Sequence, residues 1–324
     1  MPRLIPLSAA LLLSLFLGCM RPSEDKELAP VVMHLDWKFN VQFAGLYQAV
    51  EQGFFAEEGL AVELREVPED YDIFSPIMDG PGLRFGCSEG NRILEERVNG
   101  MPIVALSTMF QGSPMGWISL ESTGVESVAD FRGKTIGVHT DGVRVIELAL
   151  RKSGLSDVPF ETFKVGHSPE ALLSGKADLV QGYVLDEFVK YRKLAPEPLR
   201  MVMAKDNGYS SYSQVVYARE DTLTRFPEET RGFLRALKKG WEYVDQNRVE
   251  TVDLVLSEYS PDLDRDYQLE SLDEVMKLVK PGDQDALALM DRVVWEDMMQ
   301  EFITEGIFDG PADLDALLRT EFNP

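Results

Sequence analysis

The chain has little cysteine and little histidine. Two cysteines and three histidines occur among its 324 residues. Cys19 ends an N-terminal apolar segment and is predicted below to carry a lipid. Cys87 then has no second cysteine with which to form a disulfide. His34, His139 and His167 are dispersed and lack the short spacings that are typical of zinc sites. We therefore expect no disulfide and no bound metal, so that stability must come from burial of a core.

Positive charge is also scarce. The chain has 32 Lys and Arg against 55 Asp and Glu, a formal net charge of −23. Such a surface repels polyanions, so nucleic acid is not expected as a partner. The sequence has no Gly-x-Ser-x-Gly, no phosphate loop and no Gly-x-Gly-x-x-Gly, so no motif supports a hydrolase, an NTPase or a dinucleotide enzyme. Beyond the N-terminus, no apolar run reaches the length of about 18 residues that predicts a membrane span.

The N-terminus has the pattern of an export signal. A short positive start precedes an apolar segment, Leu4 to Leu17, which is too short to span a bilayer. It ends in Phe16-Leu17-Gly18-Cys19, which resembles the signal of bacterial lipoproteins. We predict a signal peptide over residues 1–18, a lipid on Cys19 and a flexible tether over residues 19–30. The alternative is an ordinary signal peptide followed by an unmodified cysteine.

The mature chain begins with an α/β pattern. Residues 31–37 read as a strand, residues 42–52 as an amphipathic helix and residues 60–67 as a second strand. Strand, helix and strand at this spacing predict a βαβ unit of a parallel sheet. A second strand and helix are predicted at 135–138 and 143–152, and successive helices after residue 220.

The loop between the first strand and the first helix is rich in aromatic and amide side chains. Loops at the carboxyl edge of a parallel sheet are where such folds bind ligands. Trp37, Phe39 and Tyr47 could stack on a planar ring, while Asp36, Asn40 and Gln42 could form hydrogen bonds to its edge. The alternative is that Trp37 and Tyr47 pack beneath the loop.

Several segments together resemble one known family, the fungal thiamine-pyrimidine synthases and the bacterial proteins that bind pyrimidine precursors. The wider group includes the sulfonate-, taurine- and nitrate-binding proteins of ABC importers. The resemblance runs from about residue 31 to about residue 260, and its segments are 35–60, 82–86, 100–105, 130–137, 233–236 and 240–244.

This resemblance implies a type II periplasmic-binding-protein fold, in which two α/β lobes enclose a ligand cleft and the chain crosses twice between them. We place the crossings near Gly116 and Lys205. Residues 31–115 and 206–324 then form lobe 1, and residues 116–205 form lobe 2. We expect a monomer.

The resemblance also allows the enzyme to be tested residue by residue. The fungal synthases have a lysine that holds pyridoxal phosphate, and a histidine four residues later, where this chain has Ser88 and Arg92. They have a cysteine-rich iron segment where residues 208–214 contain no cysteine. Serine cannot form a Schiff base, and hydroxyl groups do not replace thiolate ligands. We therefore expect neither catalysis nor a cofactor.

The family alignment implies a set of residues that face the cleft. Glu187 stands where pyrimidine-binding relatives have a glutamate, which could accept a hydrogen bond from an exocyclic amine; the alternative is an exposed helix residue. The predicted ligand-binding residues are Asp36, Trp37, Asn40, Tyr47, Ser88, Glu89, Gln111, Ser113, Thr140, Asp141, Gly142 and Glu187.

These observations lead to one hypothesis and three alternatives. The hypothesis is an extracytoplasmic, lipid-anchored binding protein that delivers a small planar heterocycle, such as a thiamine-pyrimidine precursor, to an ABC permease. The alternatives are a divergent synthase, a sensory protein of the same fold that signals to a membrane kinase, and a binding protein for sulfonate or taurine.

Overall fold

The computed structural model describes residues 27–69, 71–139, 142–282 and 289–323. The predicted signal peptide, the lipidation site Cys19 and the predicted ligand residues Thr140 and Asp141 lie outside these ranges. In the ranges that are described, no helix combines the length and the apolar character that crossing a bilayer requires.

The described residues contain two sheets of five strands each, numbered here along the chain. Neighbouring strands of the first sheet are, in order, β2 (Leu60–Arg65), β1 (Ala29–His34), β3 (Leu83–Ser88), β10 (Ser213–Arg219) and β4 (Ile103–Phe110). Those of the second sheet are β7 (Glu161–Lys164), β6 (Thr135–Val138), β8 (Leu179–Tyr183), β5 (Met115–Leu120) and β9 (Leu199–Met203).

Each sheet is mixed rather than purely parallel. β1 pairs in parallel with β2 and β3, which confirms the predicted βαβ unit, and β6 pairs in parallel with β7 and β8. β10 and β5 are antiparallel to both of their neighbours. The chain passes from β4 to β5 and returns from β9 to β10, so these two strands begin at the edge where their neighbours end. Their direction therefore follows from the two passages between the sheets.

Helices cover both sheets, and the predicted helix over residues 42–52 is divided into a 3₁₀ turn, Val41–Phe43, and an α-helix. The α-helices are α1 (Ala44–Glu51), α2 (Phe54–Glu57), α3 (Ser75–Met78), α4 (Gly90–Val98), α5 (Gly142–Lys152), α6 (Glu170–Leu173), α7 (Glu187–Arg192), α8 (Thr222–Arg225), α9 (Pro227–Gln246), α10 (Arg248–Leu254), α11 (Arg265–Val279), α12 (Arg292–Thr304) and α13 (Leu314–Leu317).

Close packing of α1 on α9 holds the loop after β1 in place. A Cβ atom added at Gly240 would lie 2.0 Å from the carbonyl oxygen of Gly45, so the two backbones approach more closely than any side chain allows. Trp241 is buried beside this contact. The loop that leads from Asp36 into α1 is therefore anchored on the core of the first sheet.

Side chains also connect the two sheets on either side of the crossings. Arg151 at the end of α5 donates to Glu301 of α12 at 2.7 Å and also pairs with Glu305. On the other side, the hydroxyl of Tyr267 in α11 donates to Asp186, which precedes α7. The helices that follow β10 thus contact the second sheet's helices at two separate places.

Candidate functional site

Residues at the carboxyl edges of the two sheets approach one another. Trp37, just after β1, and His167, after β7, have ring centroids 6.0 Å apart. The hydroxyl of Tyr183 at the end of β8 donates to Oε1 of Glu89 at 3.4 Å. We call the space bordered by these four residues the cleft. Both sheets contribute an aromatic or imidazole ring and a polar group to it.

Asp36 is held at the first sheet's side of the cleft by Gln214. The Gln214 Nε2 atom donates to Oδ1 and Oδ2 of Asp36 at 3.0 and 2.9 Å. Burial raises the pKa of Asp36 to about 6, against the smaller opposing effect of the Gln214 hydrogen bond. Gln214 has a φ of +56°, an unfavourable conformation for a residue with a side chain. The fold tolerates this backbone strain at a residue that positions a cleft carboxylate.

Two buried oxygen atoms near Asp36 lack hydrogen-bond partners among the described residues. They are Oγ of Ser88, at the end of β3, and Oε1 of Gln214. Ser88 pairs in register with Val215, the residue after Gln214, so the two lie on adjacent strands. An unpaired buried polar group is unfavourable by about 1–3 kcal/mol. A ligand with hydrogen-bond donors would relieve this penalty.

Glu187 is the first residue of α7 and is buried, so the alternative of an exposed helix residue is wrong. Its Oε1 lies 2.7 Å from Nδ1 of His167, and its Oε2 accepts the Tyr183 N–H at 2.9 Å. Burial opposes ionisation, but these two hydrogen bonds hold the pKa of Glu187 below its usual value. The same bond to Glu187 raises the pKa of His167. The second sheet therefore presents an anchored carboxylate beside an imidazole.

His139 and His167 stack on each other, which corrects the expectation that the histidines are dispersed. Their ring centroids are 4.7 Å apart and their planes are inclined by 26°. The backbone N–H of His139 donates to Oε1 of buried Gln181 at 2.9 Å, which fixes the chain where it leaves β6. Parallel strands β6 and β7 are neighbours, so residues that are distant in sequence meet where those strands end.

Two predicted ligand residues of the first loop have structural roles instead. Tyr47 is completely buried in the core, where its ring contacts Tyr259 at 4.1 Å and Phe39 at 6.0 Å. Oδ1 of Asn40 accepts the Gln42 N–H at 2.7 Å and caps the 3₁₀ turn. The alternative that Tyr47 packs beneath the loop is therefore correct.

Three further predicted residues make close contacts with neighbouring segments of the chain. Gln111 donates from its backbone N–H to Leu278 at 2.8 Å and from Nε2 to Leu289 at 3.1 Å. Buried Ser113 accepts the Met115 N–H through Oγ at 3.3 Å, so both residues fix the first passage between the sheets. A Cβ atom at Gly142 would lie 2.1 Å from Oε1 of Gln181, so only glycine fits there.

Sequence patterns do not single out several residues that border the cleft: Tyr183, Gln214, His139, His167 and Tyr71, whose ring lies 5.9 Å from that of Trp37. Tyr183 ends β8, and His139 directly follows β6. The rule that ligands bind at the carboxyl edge of a sheet selects the first loop. Applied to β6 and β8 of the second sheet, the same rule selects His139 and Tyr183. Gln214 gives no such signal, because β10 is not evident from its sequence.

A charged groove of about 410 Å³ lies away from the cleft, between α7, α10 and α11. Its lining side chains already pair with one another, as in the contacts of Arg192 with Glu270 and of Arg248 with Asp273. Side chains that form ion pairs with one another leave few charged groups to bind a ligand. The cleft is therefore the better candidate site.

Comparison with known proteins identifies the family. The profile described as NMT1/THI5 like matches residues 40–250. The chain belongs to the NMT1/THI5-like family. The predicted resemblance is thereby confirmed.

Among the relatives of this NMT1/THI5-like protein is the riboflavin-binding protein RibY of Chloroflexus aurantiacus, 24% identical over 94% of this chain and 88% of that one. The formylaminopyrimidine-binding protein of Halalkalibacterium halodurans is 27% identical over 90% of this chain and 93% of its own. A relative from Uromyces fabae, 28% identical over 64% of each chain, is named as a 4-amino-5-hydroxymethyl-2-methylpyrimidine phosphate synthase. The family thus includes both binding proteins and synthases.

Solved structures confirm the predicted type II periplasmic-binding-protein fold for this family member. The putative periplasmic sulfonate-binding protein SsuA of Methylobacillus flagellatus has a TM-score of 0.67 and 18% identity, and the match covers 92% of this chain and 93% of that one. At this identity, the likeness establishes the fold and says nothing of the ligand.

The cofactors of the fungal synthases do not fit this NMT1/THI5-like chain. Ser88, at the position of the synthase lysine, is a buried residue whose hydroxyl cannot form a Schiff base with pyridoxal phosphate. The segment that leads into β10, residues 208–214, offers hydroxyl, amide and phenol groups but no thiolate for iron. The residues at these positions therefore do not support the synthase reaction.

Proposed function

We propose that this protein is an extracytoplasmic solute-binding lipoprotein of an ABC importer that binds a small planar heterocycle, such as a thiamine-pyrimidine precursor. The names of the relatives that bind riboflavin and formylaminopyrimidine support this ligand class. The observation that carries the proposal is the cleft itself. Trp37 offers a stacking surface opposite His167, and the partnerless oxygens of Ser88 and Gln214 lie buried beside Asp36. A ring with amino groups on its edge satisfies both features.

The charge of the cleft argues against a sulfonate or taurine ligand. Asp36 and Glu89 from the first sheet and Glu187 from the second bring three carboxyl groups to its border. An anionic sulfonate would be repelled by them, whereas an amine or amidine edge would be attracted. Arg92, the cation nearest in sequence to Ser88 and Glu89, is exposed and lies over the ring of Phe74.

The proposal includes a closing motion. We propose that lobe 1, residues 31–115 and 206–324, and lobe 2, residues 116–205, rotate about the two passages of the chain and close on the ligand. The contacts of Trp37 with His167 and of Glu89 with Tyr183 join the two lobes and favour the closed form. A ligand shifts this equilibrium only through contacts that it makes with both lobes. The lipid on Cys19 would hold a monomer near the permease.

Isothermal titration calorimetry with the purified protein tests the ligand class. We expect binding of a formylaminopyrimidine, of hydroxymethylpyrimidine or of riboflavin, and no binding of taurine. Trp37→Leu should weaken binding about fivefold or more, because a stacking contact contributes about 1 kcal/mol or more. Tyr243→Leu, a change to an aromatic residue that packs on Phe54 far from the cleft, is the matched control. Binding of taurine and of none of the heterocycles would refute the ligand class.

The synthase names of some relatives make the enzyme the second candidate. Pyridoxal phosphate added to the protein should form no Schiff base at a single specific lysine, since the position of the synthase lysine is Ser88. A Schiff-base absorption band that borohydride reduction fixes to one lysine would refute the binding-only proposal. Ligand uptake by vesicles that contain the cognate permease separates import from sensing, because a purely sensory protein would not stimulate it.

A further inference from the structure

Two histidines and a glutamate form a cluster at the carboxyl edge of the second sheet. His139 follows β6, His167 follows β7, and Glu187 begins α7 after β8. These three strands are adjacent and parallel, in the order β7, β6, β8. The topology therefore brings the three side chains together, and one potential ligand atom of each lies within 4.8 Å of the other two.

We propose that His139, His167 and Glu187 bind a divalent transition-metal ion such as Zn²⁺. Two imidazole nitrogens and one carboxylate oxygen favour Zn²⁺, Co²⁺ or Ni²⁺ over Ca²⁺ or Mg²⁺, which prefer oxygen ligands alone. This site goes beyond the proposed binding of a heterocycle, and it shares His167 and Glu187 with the border of the cleft.

The distances in the cluster are compatible with coordination after a small adjustment. Metal–ligand bonds of about 2.0–2.1 Å in tetrahedral geometry separate the ligand atoms by roughly 3.3 Å. Nδ1 of His167 and Oε1 of Glu187, now 2.7 Å apart, would move apart by about 0.6 Å to admit the ion. The His139 ring, within 4.8 Å of both, would approach by up to about 1.5 Å. Both histidines lie in loops, which can move by these distances without disturbing a helix or strand.

Surrounding groups already hold the carboxylate of Glu187 and the backbone of His139. Oε2 of Glu187 accepts the N–H of Tyr183, and the backbone N–H of His139 donates to Gln181. The contact to Glu187 is an outer contact of the kind that fixes the direction of a metal ligand. Three protein ligands leave a fourth position for water or another donor, and the cluster borders Trp37 at the cleft.

Titration of Co²⁺ into the full chain, purified without a histidine tag and without any heterocycle, tests the proposal. We expect a visible d–d absorption band of the intensity typical of four- or five-coordinate Co²⁺, which Zn²⁺ abolishes. His139→Gln and His167→Gln should each weaken binding at least about tenfold, since loss of even an outer-shell partner weakens metal binding about 10–100-fold. The His167 side chain is 61% exposed, so its replacement should leave the fold intact.

The third histidine provides the matched control. His34 lies in β1, where its Nε2 is 3.0 Å from Nη1 of Arg84, and His34→Gln should leave the Co²⁺ band and the affinity unchanged. Thermal unfolding of each variant establishes that it is folded. Absence of the band in the wild-type protein, or equal affinity in wild type and in folded His139→Gln and His167→Gln, would overturn the metal site and leave the proposed heterocycle site standing.

Discussion

The stability of this protein should depend on pH through Asp36. Burial raises the pKa of Asp36 to about 6 from an ordinary value of 3.8. The folded state therefore holds this proton more tightly than the unfolded chain does. Its contribution to the free energy of unfolding is fully present below about pH 4 and is lost as the pH rises through about 6. The difference of about 2 pKa units corresponds to about 3 kcal/mol, an upper limit for a side chain that is only half-buried.

The substitution Asp36→Asn removes this titration and should not unfold the protein. Oε1 of Gln214, which lacks a partner, can accept from the new amide if the Gln214 amide group turns over. We expect the free energy of unfolding of the wild type minus that of the variant to increase by about 1–3 kcal/mol when the pH is lowered from about 8 to about 4.5. Urea unfolding of both proteins across this pH range measures the difference.

Asp130 provides a control of the opposite sign. Backbone hydrogen bonds, above all from the Glu126 N–H, hold the pKa of Asp130 below its usual value, so its contribution is lost as the pH falls. The difference between wild type and Asp130→Asn should therefore shrink on acidification. A difference between wild type and Asp36→Asn that is constant with pH, or that follows Asp130→Asn, would refute the assigned environment of Asp36.

Three further predictions concern packing, closure and the cleft. Gly240→Ala should lower the free energy of unfolding by about 1–3 kcal/mol or more in urea titrations, because the added methyl group collides with the Gly45 backbone; an unchanged midpoint would contradict the close approach. Arg151→Met should weaken ligand binding a few-fold at low salt and less at high salt, measured by calorimetry, because its contact with Glu301 joins the two sheets' helices. Ser88→Ala should leave the stability of the ligand-free protein equal or up to about 1 kcal/mol higher while it weakens heterocycle binding, because its buried Oγ has no partner to lose; a large loss of stability would argue against that assignment.

The sequence predicted the first strand, helix and strand because their hydrophobic periods are local. Apolar residues alternate in β2 and recur at helical spacing in α1, and the structure confirms both elements. It did not predict β10, because that strand is nearly all buried and lies between two neighbours that are distant in the sequence. A strand buried on both faces loses the alternation by which it would be recognised.

The candidate site likewise contains residues that the sequence could select and residues that it could not. Asp36 and Trp37 end the first predicted strand, so the carboxyl-edge rule could select their loop, whereas Ser88 and Glu89 were selected by the family resemblance alone. The sequence did not indicate that Tyr47 is buried in the core, because that burial depends on contacts with Tyr259, which is distant in the sequence.

Sequence alone determined the class of fold, the family and the excess of negative charge, since each depends on local pattern or on composition. Only the tertiary structure decided that Gln214 holds Asp36, that Glu187 is buried and that His139 meets His167. Those contacts join residues on different strands, and strand order and direction, which no local pattern encodes, set which side chains share an edge.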